Sequence, residues 1–264
     1  MRVYIGSAIW RTVEAAHLKS LASLLLVKDV IYAPVVGDAL IDRSRSISAS
    51  RFLLDSDADV HLSIDSDITD FSVEDAAKLC NAAMTHDIVA GVYVTRSMDR
   101  TFPTSFTKDG EELFMAFDHT PVEVEYVATG FMATHRRVFE RLAEDLPLLH
   151  PKDFKFYPFY LPMIVNNAEG DPIELSEDWA FCERAKQAGF KCYVDPAIRL
   201  GHRGTFTYRV EDMFVNPIQP HPVSLQRNGG NWRIRSLSEP TPQQESRQVR
   251  RARERQEAVA AARA

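Results

Sequence analysis

The stretch His61–Asp70 reads His-Leu-Ser-Ile-Asp-Ser-Asp-Ile-Thr-Asp. A short β-prone apolar run, Val60 to Ile64, breaks off abruptly at Asp65-Ser66-Asp67. A buried strand that delivers two carboxylates to its carboxyl end belongs in an open α/β sheet, where ligands bind at that edge. Two carboxylates one residue apart suit a divalent cation with oxygen ligands. They also cost free energy at the mouth of a strand unless a cation or hydrogen-bond donors compensate them. Taken alone the triplet is equally a turn or a helix cap, because acidic residues serve both.

The flanking sequence supports an alternation of strands and helices. Val3-Tyr4-Ile5 is a strand stopped by Gly6-Ser7, and residues 11–28 carry Val13, Leu18, Leu21 and Leu25 at helical spacing. Val30 to Val36 reads as a second strand ended by Pro34 to Gly37. In the segment that follows, Ile47, Phe52 and Leu54 can share the inward face of a helix that also carries Arg43, Arg45 and Arg51. Cations early in a helix oppose its dipole. They are therefore either part of a phosphate site at the helix start or a solvated basic turn.

Ser72 is a suitable N-cap for a helix over 73–84 with Glu74 and Asp75 in its first turn. Asp87 to Thr95 is a fourth strand ending at Arg96, and Thr101 to Phe117 is a loop or hairpin about Asp109-Gly110. Val122 to Thr129 alternates as a half-buried strand and runs through Gly130 into a helix from about Arg136 to Leu146. Residues 147–172, with five prolines and the cluster Phe154 to Tyr160, read as an irregular, mobile segment over a site. Ser176-Glu177-Asp178 opens a further helix with Phe181, Cys182, Ala185 and Ala188 inward and Gly189 at its end. Short strands at Lys191–Val194 and Ile198–Gly201 follow, and His202 stands between Gly201 and Gly204.

Composition narrows the function classes. With 264 residues, 45% hydrophobic and 10% aromatic, the chain has enough apolar material for one large α/β domain with an appendage. A net charge of −6 and pI near 5.8 exclude a globally basic nucleic-acid binder. Cys80, Cys182 and Cys192 show no CxxC spacing, which fits a reducing, cytoplasmic setting. No apolar run reaches the length of a membrane span, and the first residues lack signal-peptide character. After residue 215 the composition changes: 216–242 is an arm rich in Pro, Gln, Asn and Gly. Residues 243–264 then carry six arginines against three glutamates. The expected organisation is a domain over 1–215 and a C-terminal extension over 216–264. The tail is either a solvated helix or a contact for an acidic partner.

Three features occur in a particular order: Asp65-Ser66-Asp67 after a strand, Glu177-Asp178 opening a late helix, and His202 after a terminal strand. With Leu62 to Ile68, Ala90 to Tyr93, Val127 to Met132, Ser176 to Cys182 and Gly189 to His202, the chain resembles the GT-A glycosyltransferases, family-2-like members in particular, over roughly residues 2–205. The resemblance implies a Rossmann-like mixed sheet flanked by helices and a transfer of sugar from a nucleotide-sugar, a UDP-sugar, to an acceptor hydroxyl. It implies that Asp67 and His202 hold Mn²⁺ or Mg²⁺, with Asp65 nearer the sugar and reaching the metal through water. Gly6, Ser7, Arg45, Ser66, Arg96 and Gly130 are then expected around the nucleotide-sugar, although the Arg-Asn pair of relatives is Arg45-Ser46 here. Asp178 takes the acceptor proton, or Glu177 does.

The resembling group includes phage-type enzymes that modify hydroxymethylated DNA bases, so DNA is one acceptor the basic tail would suit. A small glycoside, a lipid or a protein are the others. A nucleotidyltransferase is a further reading, poorly served by Gly6-Ser7-Ala8-Ile9-Trp10-Arg11, and an inactive nucleotide-binding scaffold is the reading outside enzymes.

Overall fold

The computed structural model describes residues 1–96, 101–105, 112–114, 119–151, 154–167, 169–204, 207–210, 223–228 and 231–236, with only the backbone course for 112–114 and the last two segments. Asp109-Gly110 and the 243–264 tail, both singled out in the sequence, lie outside these residues.

A seven-stranded mixed sheet forms the centre, in the order Val30–Tyr32, Val3–Gly6, Val60–Ile64, Phe131–His135, Ile88–Val92, Cys192–Arg199, Val122–Val124. The first three strands run parallel. Phe131–His135 runs antiparallel to both of its neighbours, and Cys192–Arg199 is again parallel to Ile88–Val92. Strand alternation divides the core into two layers. Val60, Leu62 and Ile64 face Leu21, Leu24, Leu79 and Cys80 on the helices Ala15–Leu24 and Val73–His86. Tyr4, Ile88, Ala90 and Met132 face Phe52, Phe139 and Phe181 on the helices Ile41–Asp55, Arg136–Asp145 and Glu177–Gln187.

Local chemistry sets several of these boundaries. Ser72 accepts from the Asp75 amide at 3.1 Å while Asp75 accepts from the Ser72 amide at 2.9 Å, a reciprocal capping box. Helix Glu177–Gln187 has acids in its first turn and Arg184 and Lys186 in its last, matching its dipole. Ser176 stands at its N-cap, though its hydroxyl makes no capping bond.

The structure corrects several expectations, among them the strands at Lys191–Val194 and Ile198–Gly201, which are instead Cys192–Arg199 and Gly201–Arg203. Leu18 and Leu25 are exposed, and His17, Leu21 and Leu24 form the buried face of the first helix instead. Leu54 is likewise turned outward, whereas Ile47 and Phe52 are buried. The Val30–Val36 run is interrupted, giving Val30–Tyr32 and Val35–Val36. Phe131–His135, read only as a passage into a helix, is a strand at the middle of the sheet. The Phe154–Tyr160 segment is no loose cover: Phe159 and Tyr160 are buried, and the Tyr157 and Tyr160 amides donate to Ser50 Oγ (2.9 Å) and Ser46 Oγ (3.1 Å). Beyond the main domain, Val223–Asn228 pairs with Asn231–Ser236 and with Glu112–Phe114, so the arm contains a hairpin that returns to the preceding chain.

Among the described residues no helix is long and apolar enough to cross a membrane.

Candidate active site

A cavity of about 510 Å³ opens at the carboxyl end of Val60–Ile64, lined by Asp65, Ser66 and Asp67 together with Arg45, Arg96, Glu177, Asp178 and His202. Eight of the residues expected from sequence therefore meet in one place. Three others do not line it. Gly6 and Ser7 are buried behind the strand end, and Ala8 and Trp10 occupy the rim. Gly130 lies beneath the floor, where its amide donates to the Tyr93 hydroxyl at 3.0 Å and its carbonyl accepts from the Asp65 amide at 2.9 Å. A Cβ on Gly130 would stand 2.5 Å from that hydroxyl, so a glycine is needed for Tyr93 to reach the floor.

The acids form two groups with different counterions. On one side Arg45, only 7% exposed, donates to Asp65 at 2.7 Å and to Glu177 at 2.8 Å, and also pairs with Asp178. This answers the dipole question raised by the sequence in another way: the helix-start arginine meets carboxylates. Burial disfavours its charge, but Asp178, Asp65 and Glu177 outweigh that, so its pKa is raised. One guanidinium cannot neutralise three carboxylates. The excess falls on Asp178, whose pKa is pushed up to about 6 by burial and by the charges of Glu177 and Asp65, against the pull of Arg45 and a hydrogen bond from Thr129. Thr129, from the turn before the central antiparallel strand, was not among the residues expected at the site; it meets Asp178 from 49 positions away in sequence.

On the other side Asp67 faces His202, with Oδ2 3.5 Å from Nε2, and Arg96 donates to the same oxygen at 2.9 Å. His202 Nδ1 lies 2.8 Å from the Val94 carbonyl, which can only accept, so that nitrogen carries a proton. In the neutral imidazole, Nε2 then presents a bare lone pair toward a carboxylate. Two acceptors facing each other are the donor set of a cation site, and a carboxylate with an imidazole suits a borderline ion such as Mn²⁺. Burial works against the Asp67 charge, but the His202 imidazole, which in its protonated form donates from Nε2, and Arg96 prevail and hold the carboxyl below the usual range.

Among the described residues no three His, Cys, Asp or Glu side chains gather around one point. Asp65 turns away to Arg45, which leaves Asp67 and His202 as the side chains that could hold a cation here.

Trp179 packs: its ring stacks on Tyr126 at 5.2 Å and its Nε1 donates to the Pro103 carbonyl at 3.0 Å. Tyr160 is wholly buried beside the Arg45 cluster, stacked on Phe181 at 4.5 Å, and its hydroxyl has no hydrogen-bond partner among the described residues.

No protein-family model matches the chain, and no curated protein matches it by sequence. Among solved structures it is similar to A197 from STIV, at 14% identity over 91% of this chain and 96% of that one, with a TM-score of 0.50. It overlaps 4-diphosphocytidyl-2C-methyl-D-erythritol synthase from Anaerococcus prevotii at 13% identity, over 58% of this chain and 78% of that one (TM-score 0.34). It overlaps S. aureus TarS 1–349 at 13% identity, over 74% and 58% respectively (TM-score 0.39). The first likeness concerns the fold alone, since one fold hosts many chemistries. The other two overlaps are too loose to carry an argument.

Proposed function

We propose that this chain is a metal-dependent glycosyltransferase that moves a sugar from a UDP-sugar to an acceptor hydroxyl. The observation that carries the reading is the division of one cavity into two acidic halves. One is a facing carboxylate and imidazole, Asp67 and His202, whose donor atoms suit a divalent cation, and the other is a carboxyl whose pKa of about 6 suits a general base.

Asp67 and His202 would hold Mn²⁺, or Mg²⁺ with more water; the ion would offset charge developing on the departing diphosphate. Asp178 accepts the proton of the acceptor hydroxyl as its oxygen bonds to the anomeric carbon and the bond from that carbon to the diphosphate breaks. Arg45 and Thr129 hold the Asp178 carboxylate in place, and Asp65 and Glu177, on the same guanidinium, border the sugar. Ser66 lines the same wall, while Gly130 serves by placing Tyr93 rather than by touching the donor.

The test is UDP release from a panel of UDP-sugars with Mn²⁺ or EDTA, with small glycosides, a lipid, a protein and hydroxymethylated DNA as acceptors. Release that needs Mn²⁺ and rises with one acceptor supports the reading. Tight UDP binding with no turnover on any acceptor would favour the inactive scaffold.

A further inference from the structure

The carboxylates of the cavity differ in how firmly their counterions are held. Asp65, Glu177 and Asp178 share the buried Arg45, and Asp38 is gripped by Arg43 through two contacts of 2.7 Å. Asp67 is held by a single 2.9 Å contact from the guanidinium of Arg96, whose side chain is 50% accessible, whereas the comparably exposed Arg43 grips Asp38 twice. The Arg96 stem lies across Gly204, where an added Cβ would approach its Cδ to 3.1 Å, and its Nη1 also reaches the Arg203 carbonyl at 3.4 Å. Gly204 therefore leaves a track for the arginine stem, and the head is held by one exchangeable ion pair and one long hydrogen bond.

From this we infer that Arg96 is a resident counter-cation that occupies Asp67 while the site is empty and gives it up when a divalent cation binds, its released guanidinium then serving the nucleotide diphosphate. The inference rests on the metal-dependent reading above and adds an order to it. A cation entering alone must displace Arg96, whereas with a diphosphate present the guanidinium has another anion to meet. Metal and nucleotide therefore favour each other's binding, and by linkage the coupling is the same in either order. A fixed arginine could not do this, because a charge committed to a buried cluster has nowhere to go. The half-exposed one can exchange anionic partners at little cost, since an accessible ion pair contributes modestly.

The test is a Mn²⁺ titration followed by electron paramagnetic resonance of the free ion. It uses wild type, Arg96→Ala, Arg96→Lys and Asp67→Ala, each alone and with saturating UDP, after thermal melts establish that each variant is folded. Arg96→Ala should bind Mn²⁺ alone about two- to fivefold tighter than wild type, the range set by the worth of a half-exposed ion pair. The tightening caused by UDP should be correspondingly smaller in that variant, with Arg96→Lys between the two. Equal or weaker Mn²⁺ binding by Arg96→Ala, with binding still lost in Asp67→Ala, overturns the role of Arg96 and leaves the metal site standing. No Mn²⁺ binding by wild type even with UDP overturns both.

Discussion

At the scale of single residues, the proposed chemistry rests on the contrast between Asp178 and Asp67. Asp178 is raised by burial and by surplus negative charge, while Asp67 is held ionised by His202 and Arg96. If Asp178 is the base, transfer must fall as pH drops through about 6, because the protonated acid cannot accept a proton. Asp178→Asn should lower kcat by about 10²–10⁴-fold, leave donor KM near wild type and abolish that acid limb. Rates of UDP release between pH 4.5 and 8 check all three, and an intact limb in the variant would transfer the role to Glu177.

Arg45 makes the companion prediction for stability. Removing it strands three carboxylates in a part-buried site, so Arg45→Met should cost roughly 3–5 kcal/mol at pH 7 by urea unfolding. The folded pKa of Asp178 lies above its ordinary 3.8, so the folded state binds more protons, and stability falls as pH rises through the interval up to about 6. Losing Arg45 raises that pKa further, and the deficit of the variant should therefore shrink on going from pH 7 to pH 5.

Helices and strands differ in how much of themselves the sequence discloses. Helix Val73–His86 is legible because its start is chemical: Ser72 and Asp75 satisfy each other's amides. Ser72→Ala should cost about 1 kcal/mol, read as a lower urea midpoint with an unchanged slope. Helix Ile41–Asp55 is legible in extent but not in orientation. Its sequence alternates polar and charged residues, yet Ser44, Ser46, Ser48 and Ser50 are all buried. Serine hydroxyls can enter a core when they find partners, and here Ser46 accepts from the Tyr160 amide and Ser50 from the Tyr157 amide, while Ser48 meets His61 at 3.0 Å. Hydrophobic periodicity has no means of registering such a stripe. The Phe131–His135 strand escaped for a similar reason: it is short, buried on both faces and immediately followed by a helix, so no alternation marks it.

For the molecule as a whole, the alternation of strands and helices and the acidic triplet at one strand end were enough to foresee an α/β sheet with its cavity at that edge. Eight of the residues expected there line it, whereas Gly6, Ser7 and Gly130 do not; the ion pairs among the eight were not foreseen, because Arg45 lies 20 positions from Asp65 and 132 from Glu177. The cavity is also where whole-molecule stability should respond to ligands. UDP with Mn²⁺ at about a hundredfold over Kd should add about 2.7 kcal/mol, seen as a rise in Tm that EDTA reverses. An unchanged Tm across nucleotides and metals would remove the donor site.

The distribution of that cluster along the chain also bears on synthesis. Strands Val3–Gly6, Val30–Tyr32 and Val60–Ile64 pair side by side, and the first two helices connect them, so this half can form as it leaves the ribosome. Arg45 and Asp65 are made early, whereas Glu177 and Asp178 arrive more than a hundred residues later. An unfinished chain thus carries Asp65 and Asp67 before it carries Asp178 and His202. Under the proposed function, a product that ends ahead of the helix Glu177–Gln187 would have neither the base nor the imidazole and would be inert.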